Sequence, residues 1–531
     1  MSVTEEKQTS SLTVQAAWIL TAKIFSFALA IAVPLLLSRR LDQTEFGLYK
    51  QVFLIIMTAN ALLPFGFGMS AYYFLPREKE RAGAVVLNIL IFNAVVGLLA
   101  ASVLFLFPNS LAWLFHDAVM ANFAPALGLA IWLWIFSAFL ETLVIANNEP
   151  RLAMVFIVFS QASKAVFFLA AAVFFGTVSS LIWAAVAQAA LQTLILFVYT
   201  KRRFPQFLRV FDFALLKRQF TYTLPFGLSG WLNTGQTDAH NYFVSRRFTP
   251  ADFAVYSVGC FELPLVGILA ESVASVMIPL MSRLSASEDK REIVETTARV
   301  TRKLALVYFP LYLFLFITAD TFITTLFTAN YAASVPIFRL NLTLLPFAIL
   351  VLDPITRAYK EIGYFLLKVR LALFVLMLPT LWYAVTNFGL LGVSAVVVVF
   401  ALTERGLSSV KVARTINFAK QDFALLGGVL RTAFAAGLAG LGLFAFYRLT
   451  GESLKTFFFN FAETIFHYQN WSEFIGGVLF LAICAALFVA IYLTLTLLFG
   501  AIEPEDRQKF VNLIKKYRFG KRVGTAISLR T

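Results

Sequence analysis

Charge is scarce in this chain: Asp, Glu, Lys and Arg make up 14% of 531 residues, where a soluble domain carries about 25%. Cysteine is nearly absent. Cys260 and Cys484 stand alone inside apolar runs, which excludes a disulfide framework and a thiolate metal cluster. Three histidines, His116, His240 and His467, are scattered without a partner nucleophile at catalytic spacing. No Gly-rich phosphate loop follows a strand, so no nucleotide-driven motor is legible. What fills the space is hydrocarbon. Hydrophobic residues make up 60% of the chain, and the mean hydropathy is +0.80. The apolar runs are about 20 residues long, the length of a helix crossing a bilayer, not the alternating segments of about 10 that build a barrel. An all-α polytopic membrane protein is expected, with no nucleic-acid partner despite the net charge of +15.

That positive charge encodes topology. About fourteen spans fall between residues 14 and 499, and placing the N-terminus in the cytoplasm puts roughly five times as many Lys and Arg inside as outside. The 201–220 loop alone carries six basic residues. Both termini are therefore expected in the cytoplasm. The first apolar run, 14–37, has no cleavage pattern and reads as a retained helix.

An internal repeat organises these spans. After the first comes Ser38-Arg39-Arg40-Leu41, then Glu45-Phe46-Gly47-Leu48-Tyr49. After the seventh comes Ser245-Arg246-Arg247-Phe248, then Asp252-Phe253-Ala254-Val255-Tyr256. The spacing is the same, and both turns fall at the same point of a six-helix block. Six is even, so the two blocks share an orientation, as in transporters built from parallel repeats. The expected organisation is an N-lobe at 1–200, a linker at 201–221, a C-lobe at 222–413, two further helices within 414–500 and a basic cytoplasmic tail at 501–531. The aromatic-rich 448–474 stretch reads as an interfacial helix between the last two spans.

Two six-helix lobes with two extra helices, the Arg-Leu-x-x-x-Glu-Phe-Gly-x-Tyr turn and its echo, and Pro279-Leu280-Met281-Ser282-Arg283-Leu284 closing span eight resemble the polysaccharide flippases. These belong to the multidrug/oligosaccharidyl-lipid/polysaccharide (MOP) exporter superfamily. The resemblance implies flipping of an undecaprenyl-pyrophosphate-linked glycan across the bacterial cytoplasmic (inner) membrane for O-antigen, capsule or exopolysaccharide assembly. It implies membrane lipids, a glycan polymerase and chain-length machinery as candidate partners. Lipid II flippases share the helix count and remain an alternative. A membrane glycan polymerase or ligase is a further alternative. Such enzymes carry a long periplasmic loop, and the longest here is about 26 residues.

Ionisable residues inside spans mark candidate sites, because each costs about 2.5–3.5 kcal/mol at mid-membrane. Lys23 and Lys164 lie deep in the first lobe and suit a lipid pyrophosphate. The second lobe carries acids instead: Asp238, beside His240 in span seven, and Glu262 and Glu271 in span eight. Nine residues apart on one helix, the two glutamates would face opposite sides. Each of these side chains could equally form a structural pair between helices. Asp238 resembles the helix-seven acid of the sodium site in lipid II flippases, but span eleven offers no carboxylate, so H+ and Na+ both stay open as coupling ion. No other cofactor, and no bound metal, is expected.

Overall fold

In a computed structural model the described residues are 31–466 and 469–501. They are helical throughout, with short 3-10 turns and no strand. Among the described residues, eleven helices are long and apolar enough to cross a membrane, or twelve if a bent pair counts as one span. The chain is thus an all-α, multi-pass membrane protein. The expected count of fourteen is not established. The run at 14–37 falls mostly outside the described residues, as do Lys23 and the 502–531 tail. The seventh span forms as the Phe213–Arg247 helix but is too polar to qualify by composition.

The chain divides into two compact units that interleave along the sequence. One comprises 1–264, 326–338 and 367–400; the other comprises 265–325, 339–366 and 401–531.

In the first unit, helix ends are set by local chemistry. Thr177 and Ser180 cap each other's backbone at the start of Val178–Arg203, whose last turn holds Lys201, Arg202 and Arg203 against the negative end of the helix. Asp212 caps Phe213–Arg247 by accepting from the Leu215 amide at 3.0 Å, and its other oxygen meets Arg81 at 3.3 Å. Just beyond, the fully buried Asn88 donates to Gln219 at 3.0 Å, and Gln219 donates to Ser70 at 3.2 Å. These amide and hydroxyl groups bond in series across three helices.

Two expected spans are broken. The second bends by 43° between Gln43–Leu62 and Phe67–Phe74. At the break Phe65 and Gly66 both take left-handed backbone, φ 50° and 64°, a conformation that glycine adopts freely and phenylalanine does not. The carbonyl of Leu62 accepts from the Phe65 amide at 3.2 Å and from the Trp231 indole, and the Trp231 ring stacks on Phe65 at 4.7 Å. Span eight splits into Pro250–Gly259 and Pro264–Ala286. Pro264 starts the second piece, since proline suits a first turn and disfavours helix at the residue before it.

In the second unit, Gly427–Phe466 and Gln469–Leu498 form a hairpin. Ala435, Ala436 and Ala439 form a shallow face that admits Phe480, Cys484 and Phe488, the close approach small residues allow in lipid. The 448–474 stretch is not a separate interfacial helix. Its residues up to Phe466 continue the helix from Gly427 without a break. A second core joins Met277, Met281, Leu284, Ile355 and Val412. Beside it, Asp422 accepts from the Ala419 amide at 2.7 Å and pairs with Arg291. The backbone donor and then the guanidinium hold the Asp422 carboxyl below its usual range.

Candidate functional site

The two repeat turns meet. Gly47 lies so close to the backbone of Pro250 that a Cβ there would overlap the Pro250 carbonyl. This near-contact explains the glycine at the centre of the first turn. Phe46 and Phe253 are both buried, as are Tyr49 and Tyr256. Phe46 meets Tyr331 edge-on at 5.6 Å.

Each turn also sends its first arginine to a helix C-terminus. Arg39 donates to the carbonyl of Leu326, at the end of Lys290–Phe327. Arg246 donates to Trp113 and Leu114 at 2.9 and 3.2 Å, at the end of Asn109–Phe115, and stacks over the Trp113 ring. A cation meets the partial negative charge of unpaired helix carbonyls in both cases. The second arginine of each pair, Arg40 and Arg247, is exposed.

Lys164 sits ten residues from the C-terminal end of Pro150–Phe174, about 15 Å along the helix. Its ammonium lies 5.0 Å from the Trp134 ring and 5.8 Å from Phe168. Phe53 packs edge-on against both rings, at 6.2 and 5.2 Å. Phe53 belongs to the face of Gln43–Leu62 that also carries Phe46, Tyr49 and Lys50. The Lys50 ammonium lies 5.4 Å from the Phe46 ring. Among the described residues, neither lysine has a carboxylate within salt-bridge distance. Each ring contact returns about 0.5–1 kcal/mol, which offsets only part of a mid-membrane charge of about 2.5–3.5 kcal/mol.

Lys50 escaped the sequence reading because it lies near the start of its span, where a lysine can snorkel. The signal was its position four residues after Phe46, which places it on the inward face of the repeat turn.

Asp238 and His240 share a helix but not a partner. Asp238 accepts from Thr58 at 3.2 Å, joining the Phe213–Arg247 helix to Gln43–Leu62. His240 is buried, and its Nδ1 shares a 2.9 Å hydrogen bond with the Tyr256 hydroxyl. Nearby, Tyr242 stacks on Phe115 at 6.2 Å.

The two glutamates are not on one helix. Glu262 is exposed in the break after Cys260, whereas Glu271 belongs to the helix beginning at Pro264. The two side chains therefore do not take opposite faces of one helix, because the break before Pro264 resets the helical phase. Among the described residues, no three His, Cys, Asp or Glu side chains are grouped to hold a metal.

Solved structures share this architecture. A lipid II flippase, MurJ, in an inward closed conformation, superposes with a TM-score of 0.66 at 13% identity, over 91% of this chain and 98% of that one. An inward-facing multidrug resistance MATE family transporter of the MOP superfamily gives 0.60 at 16% identity, over 76% and 98%. A MOP superfamily transporter from Pyrococcus furiosus gives 0.53 at 13%, over 76% and 95%. At such identities these establish the fold. No curated protein sequence matches significantly. Residues 36–336, which span both repeat turns, match the polysaccharide biosynthesis protein family. The chain belongs to that family, on the MOP transporter fold.

Proposed function

We propose that the protein flips an undecaprenyl-pyrophosphate-linked oligosaccharide from the cytoplasmic to the periplasmic leaflet of the bacterial inner membrane. The two lobes, 1–200 and 222–413, alternate access to the substrate, and both termini lie in the cytoplasm. The observation that carries this reading is Lys164. It is a cation at membrane depth whose neighbours among the described residues are ring faces, so a visiting anion completes it. A pyrophosphate is such an anion, and a lipid-linked glycan is the form in which a polysaccharide-biosynthesis transporter would meet one. Lys50 adds a second cation on the facing helix, and Lys23, outside the described residues, is a further candidate for the same anion.

Asp238 is the coupling group. Its carboxylate, held by Thr58 between two helices, can take up a proton or coordinate a cation. His240 tunes the same helix, and Glu262 and Glu271 serve as secondary acids. The similarity to a lipid II flippase structure keeps that substrate as the second reading.

The test uses purified protein in proteoliposomes, with fluorescent undecaprenyl-pyrophosphate oligosaccharide or lipid II in the outer leaflet. Loss of accessibility to an added glycosidase or muramidase reports movement. Wild type should move the oligosaccharide lipid, and Lys164→Met should slow it at least about tenfold, the effect of losing one charge-assisted contact. Faster movement of lipid II would replace the proposed substrate with the second reading. Movement of neither lipid would refute flipping.

A further inference from the structure

The Phe213–Arg247 helix is 35 residues long, about 52 Å. It has no stretch apolar enough to face lipid all round. From Tyr222, the side chains of Phe226, Ser229, Asn233 and Thr237 follow at steps of four, three, four and four residues, which keeps them on one face. All four are exposed, Phe226 by 56%. Thr237 donates its hydroxyl to the Asn233 and Thr234 carbonyls, at 3.1 Å each. The Asn233 amide makes no hydrogen bond among the described residues. Beside this face, Gly230 has open space where a Cβ would project.

The charge pattern decides what such a face can take. From Tyr222 to Ser245 there is no Lys or Arg, and the one carboxylate, Asp238, is engaged by Thr58 and Thr237. A phosphate would find no cation here. Hydrocarbon would leave the Asn233 amide and the Ser229 hydroxyl without partners, a cost of about 1–3 kcal/mol for each unsatisfied group. A sugar ring matches the face group by group. Its hydroxyls both donate and accept, as Asn, Ser and Thr side chains do, and its C–H face lies well on the Phe226 ring.

We infer that the Phe226, Ser229, Asn233 and Thr237 face is a saccharide subsite for an uncharged glycan, separate from the cationic subsite at Lys164. The inference rests on the flippase reading above. It divides recognition of one lipid between two places: the ammonium groups hold the pyrophosphate, and the Phe213–Arg247 helix reads the sugar.

The experiment measures binding to full-length protein in nanodiscs by isothermal titration. The two probes are undecaprenyl pyrophosphate carrying a neutral oligosaccharide and the same lipid without sugar. Asn233→Leu and Phe226→Ala should each raise the Kd of the glycan lipid about tenfold, the scale of one lost contact, and leave the Kd of the sugar-free lipid unchanged. Asn233→Ser, which replaces the amide with a hydroxyl that can still donate and accept, should recover part of the loss. Lys164→Met should weaken both probes. Stripe variants that weaken both probes equally, or neither, would overturn the subsite while leaving the flippase reading intact. Wild type that binds neither lipid would overturn both.

Discussion

The two repeat turns have the same residues at their anchors and different chemistry around them. Position by position, Asp42 matches Thr249, Glu45 matches Asp252, Phe46 matches Phe253, and Tyr49 matches Tyr256. The first turn caps its helix singly, with Asp42 accepting from the Glu45 amide at 2.8 Å. The second caps reciprocally through Thr249 and Asp252, with Pro250 in the first turn. Tyr49 packs at a tilt against Phe53, ring centroids 4.7 Å apart, whereas Tyr256 bonds to the buried His240. Gly47 is pressed by Pro250, and its counterpart is an alanine, Ala254, also fully buried. The anchors that hold the halves together stayed alike, and the positions behind them diverged. The polar groups accumulated behind the second turn.

The sharpest way to break this comparison is at the glycine. Gly47→Val should destabilise the protein by about 3 kcal/mol, because backbone and not a flexible side chain occupies the space. Ala254→Gly should cost about 0.5–1 kcal/mol, the entropy of a glycine in a helix. Thermal unfolding in detergent measures both, and a melting temperature for Gly47→Val equal to wild type would show that the turns do not press on each other. The tyrosines come next. Tyr256→Phe leaves the His240 ring nitrogen buried without its partner and should cost about 1–3 kcal/mol. Tyr49→Phe should change stability by less than about 0.5 kcal/mol, and equal losses at the two positions would erase the asymmetry. The smallest effects are expected at the caps. Thr249→Ala should cost about 1 kcal/mol and Asp42→Ala about half that. A larger loss at Asp42 would reverse the order.

Much of this architecture was readable in the residues, because a bilayer imposes a length on apolar runs that no soluble environment does. The repeat was legible for a similar reason: Arg-Arg followed by an aromatic anchor at fixed spacing has one structural use, and it serves that use in both halves. The breaks were not. Nothing local marks Phe65 as left-handed, since its conformation is held from a distance by Trp231. At span eight the signal was present in Pro264, but an apolar run continuing across it hid the end of the helix at Gly259. The partners of Asp238 and His240 were out of reach because Thr58 lies 180 residues away and Tyr256 on another helix. Continuation of the Gly427–Phe466 helix past Arg448 was missed because Glu452 and Lys455 read as the end of a span.

That last helix has 40 residues, about 60 Å of rod. A bilayer including its headgroups is about 40–45 Å thick, and fitting the rod inside would need a tilt beyond the roughly 40° limit of transmembrane helices. At least one end therefore stands in water. The antiparallel Gln469–Leu498 helix braces it from the side, making a short mast on the membrane surface. Phe457, Phe461 and Ile465, all exposed near its tip, would then meet headgroups or water according to how thick the surrounding membrane is. How much of the hairpin stands clear of hydrocarbon is therefore set by the thickness of the bilayer around it.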